Sequence, residues 1–142
     1  MRSLILVFLA GLTIGQPVVA QTAQVPPPVE GVAFPAGIDP DAYCFMRTSI
    51  LKAALLNETG SDAATQREAA GIASPFYLGA LNRRFDSAGV NAVVVAAMKM
   101  ADKTPSDTAI REALLCAYAA RDKMHDVANG MRAGLGLPEK RP

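Results

Sequence analysis

Catalytic raw material is scarce in this sequence. One histidine, His125, stands among 142 residues, so any chemistry that needs an imidazole rests on that side chain alone. No GxSxG elbow appears, which removes the usual setting for a serine nucleophile. No glycine-rich loop is placed to cradle a phosphate. Neither cysteine belongs to a CxxC pair, which argues against a thioredoxin-like redox motif. Excess charge is missing as well. Lys and Arg number 14 against 13 Asp and Glu, and one of the basic residues, Arg2, sits in an N-terminal segment that is expected to be removed. The remainder is formally neutral, with no electrostatic footprint for nucleic acid or an anionic membrane.

That N-terminal segment, residues 1–20, has the physics of a signal peptide. Arg2 supplies a positive start, Leu4 to Ile14 form an apolar run, and Val18 and Ala20 precede a cut expected before Gln21. Gly15, Gln16 and Pro17 interrupt the run short of the about 20 apolar residues that span hydrocarbon. No stable membrane anchor is therefore expected after cleavage, and no cysteine follows the cut to carry a lipid. The product is expected in the periplasm or secreted. In such an oxidising compartment the two cysteines, Cys44 and Cys116, are expected to form a disulfide.

Residues 21–39 form a proline-rich leader, with the triplet Pro26-Pro27-Pro28 and no helical period. It is either a polyproline spacer or a strap across the domain anchored by Val29, Val32, Phe34 and Ile38. A single helical domain is expected over 40–134, followed by a tail, 135–142. Asp39 and Pro40 read as a cap and first-turn residue for a first helix ending near Gly60. Its two apolar faces, Tyr43-Met46-Ile50 and Cys44-Leu51-Leu55, predict a central helix. A second helix is read over about 62–87, continuous but kinked at Pro75 because the apolar phase survives the proline. Its middle, Ala69 to Ser74, is thin enough for close approach of another helix. Gly89 reads as a stop and Asn91 as the cap of a short third helix to about Asp102. Thr104-Pro105-Ser106-Asp107 announces a last helix to about Ala133. That helix carries the stripe Ile110, Ala113, Leu114, Ala117, Ala120, Met124, Val127 and Met131, read as core. The sum is an all-α antiparallel bundle of about four helices with one disulfide.

The segments Asp41-Ala42-Tyr43-Cys44, Ser74-Pro75-Phe76-Tyr77-Leu78-Gly79 and Leu114-Leu115-Cys116, followed by a final helix, resemble a group of small exported alphaproteobacterial proteins without an assigned activity. The likeness covers about residues 41–132. It departs where the group has a Gly-Arg step and this chain has Gly79-Ala80, so no role for that arginine carries over. The resemblance implies a helical, disulfide-tied domain and no particular chemistry.

Two functional readings follow. The first is a non-enzymatic periplasmic interaction module, such as a chaperone, adaptor or inhibitor, binding a protein partner through a helical groove built at Gly71, Phe76 and Tyr77. The second is a small metal-dependent protein or enzyme centred on His125, with Asp122 three before and Asn129 four after it on one helix face. No catalytic residue and no cofactor is assigned. Met98 and Met100 point about 200° apart on a helix and cannot easily share an ion. Arg67-Glu68 and Arg111-Glu112 read as solvated helix surface.

Overall fold

A computed structural model of the chain describes residues 29–101 and 103–139. The expected signal peptide, residues 21–28 of the leader and the last three residues lie outside the described residues. Four helices account for the fold: α1 Pro40–Ala54, α2 Ser61–Asn82, α3 Ser87–Ala101 and α4 Ser106–Gly134. No strand occurs among the described residues, so Val93-Val94-Val95 are helical. Val93 and Val94 pack against Ala42, Met46 and Leu81, which overrides their strand propensity.

α1 is the central helix. It begins where expected, because the Asp39 carboxylate accepts from the amides of Asp41 (3.0 Å) and Ala42 (3.1 Å) while Pro40 fills the first turn. It ends earlier than expected: a 3-10 turn, Leu55–Asn57, follows Ala54, and Gly60 turns the chain with φ +128°. Arg67 closes this end. Its guanidinium donates to the carbonyls of Leu55 (2.8 Å) and Glu58 (3.2 Å), satisfying acceptors that the helix leaves open. Arg67 is thus a capping group and not the free surface charge that its neighbour Glu68 suggested.

α2 runs without a break through Pro75. The proline lacks an N–H, so the Gly71 carbonyl loses its helical donor. The helix stops at Asn82, short of the expected 87, yet Phe85 still packs on the α1–α3 core from the following turn. α2 lies antiparallel to α1: Arg67 meets the end of α1, Thr48 meets Ser74 (3.4 Å), and Arg84 meets Asp39 near the start. α1 and α4 are also antiparallel, pinned at Cys44–Cys116 with Cα atoms 5.4 Å apart. α2 and α4 therefore point the same way, and they touch directly. Ala69 and Ala73 face Ala117 and Ala120, and with no side chain longer than a methyl the two backbones close up.

The start of α3 also differs from expectation. The amide of Gly89 is capped by the Asp86 carboxylate at 2.8 Å, so α3 starts at Ser87 and not at Asn91. Gly89 is inside this helix, where a Cβ would come within 3.1 Å of Phe85 Cβ; the glycine serves packing and stops nothing. At the other end α4 stops at Gly134, within a residue of the expected Ala133, and Gly136, with φ +68°, closes it through the bonds Gly136 N–H to Ala133 O (3.0 Å) and Leu137 N–H to Arg132 O (2.9 Å), the Schellman pair.

The described part of the leader is a strap and not a spacer. Val29, Val32 and Phe34 pack on the core beside the disulfide, and Ile38 packs on the α1–α3 core. Phe34 meets Tyr43 edge-on with centroids 5.7 Å apart. Its entry to α1 is fixed by Arg84, which holds Asp39 at 2.7 Å and Asp41 at 2.6 Å. Burial pushes the Asp39 carboxyl up, but the Arg84 hydrogen bond and the α1 amides outweigh it and leave it below the usual range. Asp41 shifts the other way, because burial there exceeds the attraction of Arg84.

A depressed carboxyl stabilises the fold above its unfolded value, and that stability is lost as pH falls through the folded value. Asp39→Asn keeps the cap and removes the charge. The variant is expected to be less stable than the parent by about 2 kcal/mol near neutrality, with the difference closing as the pH drops below the ordinary carboxylate range. Urea unfolding over a pH series reads this directly. A gap that stays constant into acid would contradict the Asp39–Arg84 assignment.

Candidate functional site

The α2–α4 pair creates an open apolar concavity. Ala69 and Ala73 bring the helices together at mid-length, and Ile72, Phe76, Gly79 and Arg83 then run along the outer side of α2. Opposite them stand Met124 and Val127 of α4. With Gly71 and Pro75 these residues line an open groove of about 700 Å³. Two glycines keep its wall low: a Cβ at Gly71 would meet nothing within 4 Å, and one at Gly79 would meet only an Arg83 nitrogen, at 3.9 Å. Among the described residues, Arg83 is the one charged residue in the lining.

α4 outruns the rest of the bundle. Its 29 residues span about 43 Å against about 33 Å for the 22 of α2. Because the two helices run parallel and Arg83 lies level with Met124 and Val127, the end of α4 projects beyond α2. The steps of three and four that mark its packed half, Ala113-Ala117-Ala120, continue without a phase change through Met124, Val127 and Met131. Met124, Val127, Met131, Leu135 and Leu137 are all exposed, Met131 by 63%. The expectation that the whole stripe is core is corrected here. Ala113, Ala117 and Ala120 are buried against α1 and α2 and Leu114 is half-buried, but Ile110 at the start is 52% exposed, and the second half has no helix to face among the described residues.

The proposed groove residues divide. Gly71 and Phe76 line it, but Tyr77 does not. Tyr77 is only 2% exposed, lies one residue round the helix among Cys44, Ala73 and Ala117, and donates its hydroxyl to the Cys116 carbonyl at 2.9 Å. Burial pushes its phenol well above the ordinary range. It is a core residue that fastens α2 to α4.

Asp122, His125 and Asn129 share the polar side of α4, away from the stripe. Asp122 is exposed and accepts from Arg121 at 3.1 and 3.2 Å, and the Asn129 amide reaches Glu139 at 3.5 Å. Among the described residues no three His, Cys, Asp or Glu side chains are grouped to hold a metal.

Sequence reasoning missed a buried polar cluster beside the disulfide. The Tyr43 hydroxyl donates to Glu112 at 2.6 Å and accepts from Arg47 at 2.7 Å. Arg47 also stands 3.7 Å from Glu112, with the two side chains 4% and 2% exposed. Burial, then the bond to Glu112, raises the Tyr43 phenol. Glu112 is therefore not solvated surface beside Arg111 but the acceptor of an interior network. The signal was present: Tyr43 and Arg47 flank Cys44 at helical spacing, Glu112 lies one turn before Cys116, and the disulfide brings these turns together. The cluster is sealed rather than open to a substrate. Arg47 lines a chamber of about 70 Å³ shared with Ile50, Ile110 and Ala113, but its Nε is buried and has no hydrogen-bond partner among the described residues.

Another cleft, of about 600 Å³, lies at the opposite end, around Leu55, Gly60, Asp62 and Gln66. Glu58, Ser61, Asp62 and Gln66 make its rim polar, against the apolar floor of the α2–α4 groove. Compared with protein-family models, curated proteins and solved structures, the chain matches none. The groove between α2 and α4 is thus the arrangement on which a functional reading rests.

Proposed function

We propose that the protein is a non-enzymatic interaction module of the periplasm or the secreted space, which takes an amphipathic helix of a partner protein into the α2–α4 groove. The observation that carries this reading is the exposed half-stripe of α4 lying open beside Gly71, Ile72 and Phe76. An apolar surface of this kind is a binding feature more often than an accident. Helices dock in such grooves through apolar groups at i, i+3, i+4 and i+7. Met124 and Met131 suit the task because a thioether adapts its shape to different occupants. Arg83, at the rim, calls for a carboxylate on the incoming helix. The disulfide supports an oxidising compartment.

The probe is a synthetic amphipathic peptide with leucines at those positions and glutamates at one end, titrated against the protein by calorimetry. Saturable binding is expected. Phe76→Asp or Met124→Asp should weaken it about tenfold or more, the scale of a lost anchor, while His125→Ala leaves it unchanged. Binding indifferent to Phe76→Asp and Met124→Asp, or no saturable binding, would refute the groove.

A further inference from the structure

Resting on the groove reading, we infer that the helix which fits best is α4 of a second copy of this chain, so that the protein forms a two-fold homodimer in which each α4 end lies in the other's groove. Three observations carry the inference.

The first is continuity. Ala113, Ala117 and Ala120 already form a helix-packing seam, and Met124, Val127 and Met131 extend that seam in phase, Met131 beyond the point where α2 ends. A stripe with this three-and-four spacing is a coiled-coil seam that needs one more helix. The second is self-complementarity. An antiparallel pairing centred between Val127 and Ala128 sets Met124 against the partner's Met131 and brings the two Val127 side chains close to the axis. Nearest the axis the flanking positions are Ala128 and Gly130, with Gly134 beyond, small enough for two copies to approach, while Lys123 on the same flank is drawn to Asp41 of α1. Asp122, His125, Asp126 and Asn129 all fall on the far side of the helix.

The third is charge. In this pairing the C-terminal end of the partner's α4 comes to rest beside Gly79 and Arg83. Helix C-termini carry partial negative charge on their free carbonyls, and the single cation in the groove lining then faces them. Gly79 leaves the space that a crossing helix requires.

The test is sedimentation of the full exported protein, disulfide intact, over a concentration series. The expected mass is that of two chains, falling to one on dilution. Val127→Glu and Val127→Lys, each with unchanged helicity by circular dichroism, should sediment as monomers because each puts like charges near the axis. Mixed together they should recover the two-chain mass, which a merely structural defect would not allow. A monomer at every concentration overturns the dimer, as does a dimer that Val127→Glu leaves intact. Binding of the acidic amphipathic peptide by a protein that stays monomeric would overturn this inference while leaving the groove reading in place.

Discussion

Arg47→Ala is expected to lower the stability of the domain by about 3–5 kcal/mol, the cost of leaving a buried charge without its partner. Arg47 and Glu112 are both sealed in the interior, and the Tyr43 hydroxyl bridges them. Removing the guanidinium strands the Glu112 carboxylate in a low-dielectric site where only the Tyr43 proton still reaches it. The loss should exceed that of Tyr43→Phe, about 1–2 kcal/mol, which removes two hydrogen bonds but leaves the charges balanced. Pairing Arg47→Met with Glu112→Leu removes both charges and should restore most of the stability, since a buried ion pair is often worth no more than apolar groups of its size. Urea unfolding of the single and double variants closes the cycle. A loss below about 1 kcal/mol in Arg47→Ala would show that the pair is solvated rather than buried.

The second large effect belongs to the disulfide. Cys44 and Cys116 are 72 residues apart, and joining ends so far apart removes much of the freedom of the unfolded chain. In the chain-entropy account, replacing both cysteines by alanine should cost about 4 kcal/mol. Both side chains are buried, so alanine is the substitution that leaves no stray hydroxyl. The unfolded chain also expands, so the urea dependence should steepen together with the drop in midpoint. A variant unfolding at the parent's midpoint would mean that the bridge adds nothing to α1–α4 packing.

Much of the fold was legible because its signals are local. Asp39-Pro40 gave the start of α1, the two apolar faces of α1 placed it at the centre, and the alanines of α2 announced the close approach of another helix. The apolar phase carried α2 correctly across Pro75. What local signals lack is the identity of the neighbour. The stripe of α4 reads identically whether a helix covers it or not, so Met124, Val127 and Met131 were assigned to the core. Tyr77 and Phe76 are adjacent in sequence and look alike, yet one turn angle sends the first inward and the second to the groove. The Arg47–Tyr43–Glu112 cluster joins residues more than 60 positions apart, and only the disulfide register brings them into view.

The central position of α1 also sets an order of events. A chain is made from its N-terminus, so α1 is present long before α4. Until then Tyr43 and Arg47 have no Glu112, Cys44 has no partner thiol, and the face that α4 will cover is bare. α2 and α3 can gather on α1 early through contacts close in sequence. Completion waits for the last helix, and the exposed thiol of Cys44 waits with it. An oxidising catalyst that captured this thiol too soon would hold the chain open, whereas oxidation after α4 has docked locks in a structure already formed. The first helix to appear is thereby the last to be finished.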